Sequence, residues 1–491
     1  MAISAQHVPY PGLDALMRTL SDNLRRIAHQ ILELWLSAAT PAAGLVLQVE
    51  KLTHVLVARL ICDPLIGDLL QSAVESRALL DESILLTQQR PNARLQKRGQ
   101  EVRVQLLGGT QVTLEVDYYL QRAPRRPGRP SKKRRGSGNG FYPALEILGI
   151  HDRMSPAAAS VVGLQLATSP VEEATRTLEE RGLPMNRKTV ARIGRNLASR
   201  ALNFEKDLIG RMNANQKGLL CSGMRLAIGI DGGRLRTRVK RGRRRRATGR
   251  HRYQGVWREP KVFVIYELDS MGRRKKDGLR IYAGTLGQAD DLFDLLAAYL
   301  CFIGAHLAAE VVILADGGEW IWNRIPELLK KTGIERSKVT EVLDFYHVAE
   351  RVHEIARLQT AWSAREQALW AKSRLAELKL GHLSSMMKAC SQVDSELSRY
   401  FYNNETRMDY RGCRKRGQPS ASGAVESAIR RIVNLRLKGN GIFWDIKNAE
   451  GLLFLRCQTV AGRWSKFMAA VIRPREQWRE GDASTAWLRA A

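Results

Sequence analysis

The chain has six cysteines, Cys62, Cys221, Cys301, Cys390, Cys413 and Cys457, and no two of them form a Cys-x-x-Cys pair or stand with a histidine at zinc-ligand spacing. Neither a disulfide scaffold nor a structural zinc site is expected. His347 and His353 are six residues apart, a spacing that does not stack them on one helix face as i, i+4 would, so no zinc is expected there either. No run of about 18 apolar residues occurs, and the N-terminus lacks the charged-then-apolar layout of a secretory signal. A cytoplasmic protein with no membrane partner is expected. Acid is also in short supply: 49 Asp+Glu against 79 Lys+Arg leave a formal charge of +30 and a pI near 10.3. Such an excess attracts polyanions, and its clustering points to nucleic acid rather than to general solubility. At 491 residues the chain has room for two to four domains.

Among the scarce acids, three stand in informative settings: Asp231 in LAIGIDGG, Asp316 in VVILADGGEW and Glu426 in SGAVESAIRRIV. The first two end short aliphatic runs that stop at glycine pairs and read as buried strands. An ordinary turn after a strand explains either Asp-Gly alone, and an exposed helical acid explains Glu426 alone. The three together, in this order, read as one active edge.

From about Pro11 to Arg98 the pattern is helical, with Leu16, Leu20, Leu24, Ile27, Ile31 and Leu34 recurring at three- and four-residue steps. Residues 101 to 120 switch to period two around Gly108-Gly109 and read as a β-hairpin. Arg122 to Gly140 holds three prolines, four glycines and eight Lys/Arg without a large apolar residue, so a flexible basic linker is expected. Its Arg126, Arg129, Lys132 and Lys133 suit either insertion into a narrow minor groove or an extended tether on phosphates. Residues 141 to 210 return to helix. Two helices around Gly182-Leu183-Pro184, the first starting at Ser169-Pro170 and the second capped by Asn186, have the layout of a helix-turn-helix with Arg187, Lys188, Arg192 and Arg195 on the second. Any two helices joined by a short turn share that layout.

From Leu226 the expected order is a strand ending at Asp231, strands at KVFVIYEL and Arg280 to Thr285, a helix from Gln288, a strand ending at Asp316, a helix from Glu319, and a strand VTEVL before Asp344. A meander followed by two parallel crossovers is the order of a ribonuclease-H-like domain, an α/β fold with a mixed sheet. It would set Asp231 beside Asp316, and a helix with N-cap Ser422 and stripe Val425, Ile429, Ile432 and Val433 would turn Glu426 toward them. Three hard oxygen donors suit Mg²⁺ or Mn²⁺, two ions roughly 3.5 to 4 Å apart serving in-line phosphodiester displacement. Arg234 to Arg252 carries eleven Lys/Arg and no acid, among them Arg241, Arg243, Arg244, Arg245 and Arg246, and is expected to grip DNA phosphates, as is Arg430. A helical insertion precedes Glu426, and its tail from Arg399 mixes aromatics with arginines in a manner suited to base stacking or to packing.

The motifs GIDGG at 229 to 233, VWREPKV at 256 to 262, ADGGEWIWN at 315 to 323, LDFYHVAE at 343 to 350 and RMDYRGCRKRGQPSASGAVESAIRRIVNLRLKGNGIFW at 407 to 444 resemble those of bacterial insertion-sequence DDE transposases of the Kra group. The resemblance spans roughly Leu226 to Trp464. It implies Asp231, Asp316 and Glu426 as a catalytic, metal-holding triad. It also implies recognition of terminal inverted repeats in double-stranded DNA, end cleavage, strand transfer, nucleoid association, and at least a homodimer on paired ends. Two departures stand out: the segment before Glu426 reads SASG where similar transposases show isoleucine-glycine-serine-glycine, and the N-terminal zinc-type cysteine cluster of some relatives is missing. The resulting division is 1–121 helical with a β-hairpin, 122–140 basic linker, 141–215 helix-turn-helix-like, 222–346 with 422–470 catalytic core, 347–421 helical insertion and 471–491 tail. A DNA-binding protein of the same fold without catalysis, or a nuclease acting on junctions or RNA, are the other readings.

Overall fold

A computed structural model describes residues 13–37, 43–122, 138–209, 218–245, 251–439, 441–478 and 488. Arg126, Arg129, Lys132, Lys133 and Arg246 lie outside the described residues. The chain divides into two compact units: Met1–Leu197 with Val471–Gln477, and Ala198–Ala470 with Trp478–Ala491.

In the first unit the helices Leu13–Leu36, Ala43–Val57, Asp63–Glu75 and Arg77–Gln88 precede a hairpin of β1 (Ala93–Gln105) and β2 (Gln111–Arg122). Strand therefore begins inside the stretch whose periodicity predicts helix to Arg98. Leu16 and Ile27 of the expected stripe are buried, whereas Leu24 is exposed. The hairpin turn is held by buried Asp63, whose carboxylate accepts from the Gly108 and Thr110 amides, each at 3.0 Å, and from the Thr110 hydroxyl at 2.6 Å. A third strand, β3 (Gly138–Phe141), pairs antiparallel with β2, so the end of the expected linker is sheet. Val102, Val104, Leu106, Leu114 and Val116 share a core with Leu145 and Ile150. A second core under Pro156–Thr168, Val171–Glu180 and the start of Arg187–Leu208 is built from Val162, Leu166, Leu178, Leu183, Val190 and Ile193. Asn186 caps the last of these helices, its side-chain oxygen accepting from Thr189 N at 2.9 Å.

The second unit is α/β. Its five-stranded sheet contains β4 (Arg225–Gly232), β7 (Lys261–Glu267), β8 (Arg280–Thr285), β9 (Glu310–Ala315) and β10 (Val339–Leu343), in the order β8-β7-β4-β9-β10. β4, β9 and β10 are mutually parallel, and β7 runs antiparallel to both β4 and β8. The central strands are buried almost throughout, which demands cover on both faces. Phe263 packs against Tyr299 of helix Ala289–Ile303, ring centroids 5.7 Å apart. Its neighbour Val264 lies with Val425 around Gly229. Consecutive strand residues face opposite sides, so that helix and the Glu426 helix cover opposite faces.

Two further strands, β5 (Leu235–Arg245) and β6 (His251–Arg258), form a hairpin of their own between β4 and β7 in sequence. The helices Phe345–Arg357, Ala364–Leu380, Leu383–Val393, Ser395–Asn403 and Tyr410–Lys415 separate β10 from the Glu426 segment.

Candidate active site at the strand ends

The parallel register determines what meets at the sheet edge. Ile230 of β4 is aligned with Ala315 of β9, and Ala315 with Leu343 of β10. The next residues are Asp231, Asp316 and Asp344, so three carboxylates emerge from the C-terminal ends of three neighbouring strands. Asp231 and Asp316 are half-buried and Asp344 is fully buried. Asp231 accepts from the Gly232 amide at 2.6 Å, and Asp316 from the Gly318 amide at 3.0 Å.

Glu426 comes from the helix Gly423–Ala428, which continues as a π-helical stretch, Ile429–Asn434. This helix lies directly on β4 because Gly229 has no side chain: a Cβ there would stand 2.9 Å from Val425 Cβ. Ser422 occupies the N-cap position as expected but does not cap with its side chain; its hydroxyl lies 3.3 Å from Glu426 Oε1. Glu426 itself is exposed, with Val425 beneath it buried.

Burial pushes the Asp231 carboxyl up to about 6. The Gly232 amide opposes this, Asp316 reinforces it, His347 opposes it and Glu426 reinforces it. Asp231 therefore feels both other carboxylates of the expected triad. Repulsion of this kind, in a half-buried setting, is what a divalent cation relieves, and carboxylate oxygens are its hard donors. Among the described residues, however, Asp231, Asp316 and Glu426 are not a set whose ligand atoms converge within 4.8 Å of one another.

Three residues not assigned to the site from sequence, Asp344, His347 and Tyr400, also face this edge. Among the described residues, one set of three ligand-type side chains converges within 4.8 Å: Asp344, His347 and Glu426. Asp344, however, is already engaged on both oxygens. Oδ1 accepts from the amides of Tyr346 at 2.6 Å and His347 at 3.1 Å, capping Phe345–Arg357, while Oδ2 accepts from the Ser422 amide. With its lone pairs directed at three backbone donors, Asp344 acts as a clamp joining the end of β10 to the start of the Glu426 helix. Tyr400 lines a cavity of about 450 Å³ with Asp316, His347 and Arg351. Burial, then the charge of Asp316, pushes its phenol up to about 12. The sequence signals for these residues were the LDFYHVAE motif, which holds Asp344 and His347 without a role assigned to either, and the aromatics of a helical tail for Tyr400.

The other expected positions are distributed as follows. Arg241 is exposed on β5; Arg243, Arg244 and Arg245 also belong to that strand. Arg430 is exposed. In the first unit Lys188 is exposed, Arg187 stands 3.9 Å from Glu172, and Arg192 is bound to Asp152 at 2.8 Å. In the Arg399 tail, Phe401 and Tyr410 are buried rather than displayed, the Tyr410 hydroxyl donating to the Leu343 carbonyl at 2.9 Å.

Compared with known proteins, the chain matches no family model and no curated protein. No described helix is long and apolar enough to cross a membrane.

Proposed function

We propose that the chain is a DNA transposase that cleaves and joins DNA at the Asp231, Asp316 and Glu426 edge, in a ribonuclease-H-like core. The observation that carries this reading is the meeting of strand-end register and helix docking at one place. β4 and β9 end side by side in aspartates, and the close approach at Gly229 brings the Glu426 helix onto the same strand. The strand order third-second-first-fourth-fifth, with only the second reversed, supports the ribonuclease-H-like assignment. The motif resemblance to Kra-group transposases supports the choice of transposition over other phosphodiester chemistry.

Asp231, Asp316 and Glu426 would hold two Mg²⁺ or Mn²⁺ ions, which supply activation of the attacking oxygen and stabilisation of the leaving one. The chain's own groups prepare that chemistry. Asp344 fixes the start of the Glu426 helix, Gly229 sets its height above β4, and the β5–β6 cations draw the phosphate backbone of double-stranded DNA toward the unit. Terminal inverted repeats and target DNA are the substrates, handled by at least a homodimer.

Strand transfer with Mg²⁺ on duplexes carrying the two ends of the element tests the reading. Asp231→Asn, Asp316→Asn and Glu426→Gln are each expected to lower joining by about a thousandfold or more, as removal of groups acting as a unit does. Joining at wild-type rates in any of them rejects it, and cleavage without joining would assign a nuclease instead.

A further inference from the structure

The β5–β6 hairpin has two unlike faces. Leu235 and Thr237 of β5 are buried. The alternate residues Arg234, Arg236, Arg238 and Lys240 are all cations and, by the period-two rule, share the other face. Register aligns Arg236 with Trp257, Arg238 with Gly255 and Lys240 with Tyr253 on β6. Tyr253 is 53% and Trp257 46% exposed, unusual for rings of this size.

A third ring joins this face from outside the hairpin. Trp444 pairs with β5, its amide bonding the Arg236 carbonyl at 2.9 Å and its carbonyl accepting from the Arg238 amide at 2.8 Å. The preceding Phe443 lies over Gly255, where a Cβ would stand 2.6 Å from Phe443 Cε1, and 5.8 Å from the Tyr253 ring. The Arg236 guanidinium stands 4.6 Å from the Trp257 ring centroid and 5.8 Å from that of Phe443. The face is thus a fixed row of Tyr253, Phe443, Arg236 and Trp257, flanked by exposed Arg238 and Lys240.

Phosphates of a closed duplex call for cations alone. Exposed rings at regular strand spacing add the means to stack on bases, which only unpaired nucleotides present. We infer that this face binds single-stranded DNA, rings on bases and Arg238 and Lys240 on the backbone. The inference rests on the proposed transposase activity for its role: the hairpin begins four residues after Asp231, so unpaired nucleotides flanking a cut would be held beside the reacting strand.

The test is fluorescence anisotropy of the full chain with a labelled oligonucleotide, single-stranded or duplex, in EDTA so that no cleavage occurs. Tyr253→Ala with Trp257→Ala is expected to weaken single-strand binding about tenfold or more and duplex binding by less than about twofold, given the strength of base–ring stacking. Tyr253→Phe with Trp257→Phe keeps both rings and is expected to retain single-strand binding, which separates stacking from misfolding. Arg238→Gln with Lys240→Gln is expected to weaken both forms and flatten the salt dependence. Unchanged single-strand affinity in the alanine variant overturns the inference, as does an equal loss on duplex, failure of the phenylalanine variant to bind, or preference for an RNA of the same sequence. Because no chemistry is read, its failure leaves the transposase proposal standing, and failed strand transfer leaves this platform standing.

Discussion

Asp344 illustrates how one side chain can organise a site without reacting in it. Its carboxylate is fully buried and satisfied by three backbone amides from two segments distant in sequence. Removing it strips a helix cap and strands a buried Ser422 amide, so Asp344→Ala should cost roughly 2–4 kcal/mol in urea unfolding. An unchanged midpoint would show that the clamp bears no stability. Glu205 is a second buried acid, accepting from the Tyr299 hydroxyl at 2.7 Å. Burial pushes its carboxyl up to about 8 from 4.5, against the Tyr299 hydrogen bond and with a smaller push from Glu450. A folded value above the unfolded one means that the stabilisation is complete below pH 4.5 and declines as pH rises toward 8. Within that window the slope from this group is about 1.4 kcal/mol per pH unit. Unfolding of wild type and Glu205→Gln between pH 5 and 8 checks this: the variant's dependence should be flatter, and parallel curves would contradict the assignment.

The candidate site is made where a helix meets a strand. Gly229→Val inserts a side chain where even a Cβ meets Val425 at 2.9 Å. The helix must lift, costing about 1–3 kcal/mol by overpacking and moving Glu426 from the strand ends. Strand transfer should fall more than stability does, and wild-type joining in a folded variant would show that helix height is immaterial. β4 and β9 were legible in sequence because short apolar runs ending at Asp-Gly have few alternative readings. The β5–β6 hairpin was not: its length of unbroken positive charge reads first as a phosphate-gripping connection. The period-two order of Arg-Leu-Arg-Thr-Arg-Val-Lys was nevertheless present, and burial of Leu235 and Thr237 is what makes it a strand. The stretch from Ala93 to Arg98 was misread because charged residues there fit an exposed helix face as well as an exposed strand.

At the scale of the whole molecule, the charge of +30 dominates. If the chain binds DNA as proposed, that charge would make the affinity strongly dependent on salt, and a footprint of six to ten phosphates would lose about 10³ to 10⁵ in affinity between 50 and 200 mM salt. Composition is the ground for that expectation, and motif order is the ground for proposing Asp231, Asp316 and Glu426. The part played by Asp344 was hidden because it depends on hydrogen bonds between segments 78 residues apart, which no local pattern encodes. The central claim is that three side-chain carboxylates share divalent cations at one sheet edge. Calorimetric titration of Mn²⁺ into the full chain, without DNA, tests it most directly. The account predicts binding by the wild type and its loss in Asp231→Asn, Asp316→Asn and Glu426→Gln alike; Mn²⁺ binding undiminished in all three variants would contradict it.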